Sequence, residues 1–263
     1  MLAKHNPSPY LLPGLLLLQA GLCQAGSIEL SPVRINLSAS AKVAVLTVRN
    51  IGAESSVMQV SLNRWKPEGI RYTYEPSQDL VITPTTFRLL PGRQQIVRIG
   101  TRSNLQVSRE AAYRLFVEEV PPPPSPNNTE TRLVIRHDLP VFVAPAESAR
   151  PKLVAALECA SNGTSLRMGN IGNAHVQLRH IALKALPGPH VLGSWDAFDY
   201  LLPDAQKSWD LAKAAPAALG KAFVVVVQTE LNSYTVEVRN NCPMGVLRRS
   251  RMVAAPARLA SVL

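Results

Sequence analysis

The residues of this chain that could do chemistry are few, and their spacing argues against catalysis. Five histidines are scattered along it. The nearest pair, His175 and His180, has no cysteine or acidic companion at metal-ligand spacing. No serine stands in a nucleophile elbow, no glycine-rich loop could cradle a phosphate, and no pair of carboxylates is set out for acid and base. The expectation is a protein that is not an enzyme and holds no metal or cofactor. Three cysteines remain. Cys23 lies near the end of an N-terminal export signal and is expected to leave with it. The residues before it, Ala20-Gly21-Leu22, do not make a lipobox. Cys159 and Cys242 are then an even pair in an exported chain, which favours a disulfide over two buried thiols. Such a bridge would close a long loop and contribute about 4 kcal/mol in a chain-entropy account.

The signal itself is legible. Lys4 and His5 precede an apolar run at residues 10–18, and small residues follow to Ala25 and Gly26. That run is too short to span a bilayer, and cleavage is expected after Ala25. No integral membrane segment is expected once the signal is gone. The chain of 263 residues has room for two domains of roughly 100 to 130 residues. With 46% hydrophobic and 17% charged residues it can build real cores, and disorder is excluded as a general state. A net charge of +10 points to an anionic partner: nucleic acid, anionic lipid or a peptide carboxylate. The cluster Arg248-Arg249-Ser250-Arg251 could touch nucleic acid, but an exported protein seldom meets any, so a solvated tail is expected instead.

The elements that must position any site read as short strands. Residues 28–37, 42–50, 57–65, 80–82, 87–89 and 94–99 alternate or run apolar between proline and glycine turns, with no long amphipathic helix among them. Two longer strands follow. The run 113–120, YRLFVEEV, is rich in β-branched and aromatic residues and stops at four prolines, Pro121 to Pro124, which cannot donate to a ladder. After a polar spacer, residues 131–143 place Leu133, Ile135, Leu139, Val141 and Val143 on one parity, one face of a strand. Pro140 confines that strand to a sheet edge or a bulge. An apolar strand at an open edge invites aggregation unless something is meant to pair with it.

The phrase Tyr113 to Pro122, followed by a strand ending Leu139-Pro140-Val141-Phe142-Val143-Ala144-Pro145, resembles the periplasmic pilus or fimbrial assembly chaperones of the chaperone-usher pathway, the PapD-like proteins, and most of all their archaic branch. The resemblance implies an all-β chain of two immunoglobulin-like β-sandwich domains at an angle, boomerang-shaped, preceded by a cleaved signal peptide. It implies as partners pilus or fimbrial subunits and an outer-membrane usher, with no nucleic acid. Thr131, Leu133 and Ile135 fall where the family inserts alternate side chains into its subunit, a form of strand addition; their ordinary alternative is core of this sandwich. Arg34, in Ser31-Pro32-Val33-Arg34, matches the arginine that grips the subunit's C-terminal carboxylate, for which a planar guanidinium fork is well suited. Otherwise it is an edge arginine reaching for water. The family's second anchor, a lysine, would fall near Pro140, where this chain has none. Arg98 and Glu110 match family positions that form an ionic link beneath the cleft.

These expectations divide the chain into a signal peptide (1–25), an N-terminal chaperone domain with the donor strand (26–145), a hinge (146–151), a smaller C-terminal sandwich (152–247) and a basic mobile tail (248–263). In the second domain, residues 152–159, 165–168, 176–183, 222–228 and 235–239 read as strands, with Val224 to Val227 buried on both faces. An exported two-domain adhesion or binding module, its edge strand covered by its own loops, is the competing reading.

Overall fold

The computed structural model describes residues 28–102, 107–121, 134–160, 163–188, 190–211 and 222–242. All regular structure among them is β, and no helix there is long and apolar enough to cross a membrane. The first half contributes ten strands: β1 (Ile28–Ser31), β2 (Ile35–Leu37), β3 (Val43–Asn50), β4 (Ser56–Glu68), β5 (Arg71–Pro76), β6 (Leu80–Thr83), β7 (Thr86–Leu89), β8 (Gln94–Thr101), β9 (Ala111–Val120) and β10 (Arg136–Val143). They form two facing sheets, β1-β3-β8-β6 and β2-β10-β9-β4-β5, with β7 also on β4. The alternation of β9 sends Ala111, Tyr113, Leu115 and Val117 into the space between the sheets, all fully buried against Leu46, Val48, Val97 and Ile99. Leu115 and Val117 each contribute about 1.5–3 kcal/mol.

Residues 28–37 alternate like one strand, but they form two. Pro32 cannot donate to a ladder, so pairing with β3 stops at Ser31 and the chain crosses to the other sheet, where β2 runs parallel to the end of β10. Arg34 lies in this crossover, between β1 and β2.

The second half is one ladder of seven strands: β11 (Leu153–Ala160), β12 (Gly163–Asn170), β13 (Val176–Leu186), β14 (Val191–Leu201), β15 (Gln206–Leu211), β16 (Ala222–Thr229) and β17 (Ser233–Asn240), in the order β14-β13-β16-β17-β11-β12-β15. β14 and β15 were not legible as strands. Each has a partner on one side only, and β14 buries just Ala197 and Leu201 fully, so its apolar period is weak. The two ends of the ladder turn toward each other, with Lys207 of β15 paired to Asp199 of β14 and Trp195 lying 6.4 Å from Trp209. The valine run of β16 is central, but only Val225 and Val227 are fully buried, while Val224 and Val226 are half-buried on the outer face.

Both halves repeat one local device. Asn50-Ile51-Gly52 and Asn170-Ile171-Gly172 each bury their asparagine as the last residue of a strand. Asn50 donates to the carbonyls of Glu54 and Leu89 and accepts from the Gly52 N–H; Asn170 donates to Ala174 and Leu201 and accepts from Gly172 and Lys152. Fully partnered, such buried amides hold a turn to one geometry. In the second copy the turn carries the segment joining the halves: the Arg150 N–H donates to the Asn173 side chain at 2.7 Å, and the Ile171 N–H to the Lys152 carbonyl at 2.8 Å. A Cβ on Gly172 would lie 2.3 Å from the Arg150 carbonyl oxygen and 2.4 Å from the Lys152 nitrogen. Gly172→Ala must therefore displace the connecting backbone. The expected cost is about 1–3 kcal/mol, as for other overpacked sites, read as a lowered urea midpoint; an unchanged midpoint would mean that the approach is not tight.

Candidate functional site

Among the described residues, the edge of β10 is only partly paired, next to the segment where a donor strand is expected. Along Arg136–Val143 the strand pairs with β9 on one side, but β2 covers the other side only at Val141, Phe142 and Val143. Among the described residues, Arg136 to Pro140 therefore have no second partner strand, and Pro140 sits where the cover begins. The parity holds as well. Leu139, Val141 and Val143 are buried in the core, whereas Ile135, on the same parity further out, is 38% exposed beside Val134 at 42%. Thr131 and Leu133 lie outside the described residues. On the outer face, Arg136 stacks its guanidinium 4.7 Å from the Phe116 ring centre and Asp138 pairs with Arg114 at 3.5 Å.

Arg34 faces the second domain. Its Nη1 lies 3.2 Å from Gln177 Oε1 on β13 and 3.0 Å from Glu230 Oε2, in the loop between β16 and β17. That loop is held by Thr229 and Asn232, which exchange backbone and hydroxyl hydrogen bonds at 2.7–2.9 Å. Partial burial disfavours the Arg34 charge, but interactions with Glu230 and Tyr200 outweigh it, and its pKa stands above the usual arginine value. Arg179, two residues beyond Gln177, reaches the other oxygen of Glu230 at 4.0 Å.

Between the sheets of the two halves lies a packed aromatic seam. Trp65 of β4 and Phe142 of β10 join the hydrophobic core of the second half, so that core extends across the junction. Tyr200 of β14 meets the Trp65 ring edge-on at 5.7 Å and Phe142 at 5.4 Å. Tyr72 donates its hydroxyl to the Tyr200 carbonyl at 2.6 Å, and burial raises its pKa far above the ordinary phenol range. The Arg114 guanidinium carbon lies over Trp65, 3.8 Å from the ring centre.

Glu110 also belongs to this seam, with a partner other than the one expected. Arg98 is exposed on β8, whereas the Glu110 side chain is 7% exposed and is engaged by His175: Oε1 lies 2.6 Å from His175 Nδ1 and accepts the His175 N–H at 3.1 Å. The imidazole in turn stacks on Phe142 at 3.8 Å and an interplanar angle of 13°. The ionic link between Arg98 and Glu110 is therefore corrected to a Glu110–His175 link. A buried carboxylate needs a partner that can enter its low-dielectric surroundings. A ring that is itself packed between aromatics can do so, and an arginine on the outer face cannot.

Two further constellations complete the inventory. Cys159 and Cys242 are bridged, with Cα atoms 5.0 Å apart. Ser194, His180 and Asp196 form a relay on β13 and β14, with Ser194 Oγ 3.0 Å from His180 Nε2 and Asp196 Oδ1 2.8 Å from Nδ1. Its order is that of a hydrolytic triad, but the Asp196 side chain is 75% exposed, so water screens the polarisation that a buried aspartate would supply. Among the described residues, no three His, Cys, Asp or Glu side chains converge on a metal-sized space.

Residues 27–149 match the family model described as pili and flagellar-assembly chaperone, PapD N-terminal domain. The chaperone protein LpfB of Salmonella typhimurium is 28% identical over 125 residues, 46% of this chain, and the match spans 51% of that curated relative's length. In fold, the chain is similar to one in the chaperone–tip adhesion subunit pre-assembly complex CsuC–CsuE from the archaic chaperone-usher Csu pili of Acinetobacter baumannii, with a TM-score of 0.63 at 18% identity over 82% of this chain and 99% of that one. It is also similar to the class 5 fimbriae chaperone CfaA, with a TM-score of 0.59 at 15% identity over 80% and 98%. A chain of the Salmonella enterica SafA pilin–SafB chaperone complex gives 0.56 at 18% identity over 81% and 96%. At such identities the structural likeness is one of fold, and it extends over both halves. Residues 27–149 are thus a domain of the PapD N-terminal type, and both halves together share the fold of these chaperones.

Proposed function

We propose that this protein binds pilus or fimbrial subunits in the periplasm, completes their unfinished sandwich with its own residues 131–143, and delivers them to an outer-membrane usher. The observation that carries this is the edge of β10, unpaired among the described residues from Arg136 to Pro140 and continuing into a half-exposed Ile135. Main-chain hydrogen bonds along such an edge supply affinity, and alternate side chains filling a groove supply selectivity. Burying Leu133 and Ile135 in a subunit would contribute about 1.5–3 kcal/mol each. Arg34, at the junction of the two halves, is the anchor for the subunit's terminal carboxylate. The work is non-enzymatic and takes no cofactor or nucleotide, because folding energy withheld while the strand is lent is released when a neighbouring subunit supplies a better-fitting one. The fold shared with chaperones crystallised with a tip adhesion subunit and with a pilin supports this reading.

Co-expression with a candidate subunit tests it. Leu133→Asp combined with Ile135→Asp is expected to abolish soluble, co-purifying subunit while the chaperone itself still folds. Retained co-purification would overturn the donor-strand assignment and favour an exported adhesion or binding module. Arg34→Glu is expected to weaken capture with the fold intact.

A further inference from the structure

The Arg34 site already holds a carboxylate. Glu230 offers one oxygen to Arg34 at 3.0 Å and the other toward Arg179 at 4.0 Å. Two guanidinium groups from opposite halves of the molecule thus bracket a single carboxylate, an arrangement that suits a planar anion with two oxygens. Arg179 is further held by the exposed Phe198 ring, 5.8 Å from its guanidinium carbon. All three charged side chains are between 34% and 43% exposed, so water reaches the bracket and the resident anion can leave at small cost.

We propose that Glu230 is a resident competitor: an incoming main-chain carboxylate displaces it and takes the bracket between Arg34 and Arg179. Arg179 thereby fills the place of the second cation that Pro140 leaves vacant. The proposal rests on the reading of Arg34 as the anchor of a subunit terminus and adds to it which second cation serves and what must move. Glu230 keeps the cations neutralised until a carboxylate arrives together with a strand for the β10 edge. A free anion lacking that strand competes poorly. Gln177, which accepts from Arg34 at 3.2 Å, holds the guanidinium in place during the exchange.

The test uses the purified full chain and a short N-acetylated peptide of alternating valine and threonine, ending in a free carboxylate or in an amide. Binding is followed through the side-chain N–H signals of Arg34 and Arg179 in NMR. The carboxylate peptide is expected to shift both signals, and the amide to leave them in place. Glu230→Gln, a conservative change in a loop, is expected to tighten carboxylate binding by about two- to fivefold, the worth of one half-exposed ion pair, and to leave amide binding unchanged. Arg179→Gln is expected to weaken carboxylate binding in both backgrounds. Unchanged or weaker binding in Glu230→Gln overturns the exchange, and an inert Arg179→Gln overturns the bracket. If neither peptide end moves the Arg34 signal, the site itself is overturned. None of these results bears on subunit capture by the donor strand, which the Leu133 and Ile135 variants measure separately.

Discussion

Trp65→Ala is expected to cost about 3–5 kcal/mol, the range for deleting a large aromatic from a packed interior, and to uncouple the two halves of the molecule. Trp65 is almost completely buried, and it is where the cores of the two halves join. Tyr72 and Tyr200 meet its ring at 5.2 and 5.7 Å, and the Arg114 guanidinium covers its face at 3.8 Å. Truncation removes this shared filler from both sides, and no single neighbour can collapse into the gap without leaving its own partners. The Trp65 indole N–H has no hydrogen-bond partner among the described residues, so Trp65→Phe should cost much less, since it discards an unsatisfied polar group together with part of the ring. Urea unfolding followed by Trp195 and Trp209, both in the second half, reads the effect. The alanine variant should show an earlier midpoint by these tryptophans and two separated transitions by far-UV circular dichroism, which reports the strands of both halves. A single transition at the original midpoint would mean that the seam contributes nothing to their coupling.

Replacing Cys159 and Cys242 by serine is expected to cost about 4 kcal/mol, from the entropy of opening a loop of this length. The two residues are 83 apart in sequence, and the fold explains why they meet. β11 runs parallel to β17 with Ala155 opposite Val238 and Leu157 opposite Asn240, and the Asn241 N–H continues the ladder to the Leu157 carbonyl. Carrying the same register two residues further puts Cys159 beside Cys242. The parallel pairing of β11 with β17 spans only three residues, and closing so distant a contact is entropically expensive. The bridge therefore secures the join that makes the second half one continuous ladder. The serine pair should lower the urea midpoint reported by Trp195 and Trp209, and reduction of the unmodified protein should have the same effect. Equal midpoints with and without the bridge would show that the ladder closes unaided.

Much of the architecture could be read from local patterns. The end of β9 before Pro121, the odd parity of residues 135–143, the edge-marking Pro140 and the pair Cys159 and Cys242 were each marked by local pattern or count, and each corresponds to a feature of the fold. The repeated Asn-Ile-Gly was equally present in the sequence, but only the structure shows that its two copies build the same turn. β14 and β15 were hidden because strands at the ends of a ladder need cover on one side only, and so carry polar residues and Gly193 at little cost.

The charged pairs divide differently. Glu110 was identifiable as a link between the halves, but its partner His175 is 65 residues away, and only packing decides that a ring stacked on Phe142 reaches it before Arg98 does. Arg34 was identifiable as an arginine in an apolar strand, while Glu230, 196 residues away, has nothing in its local sequence to mark it. By itself the sequence determined the β class and the division into two β domains, because these follow from backbone hydrogen bonding and the alternation of side chains along a strand. Only the tertiary structure decided which charges meet in the cleft, because an ion pair is set by distance and dielectric in space, and a linear pattern encodes neither.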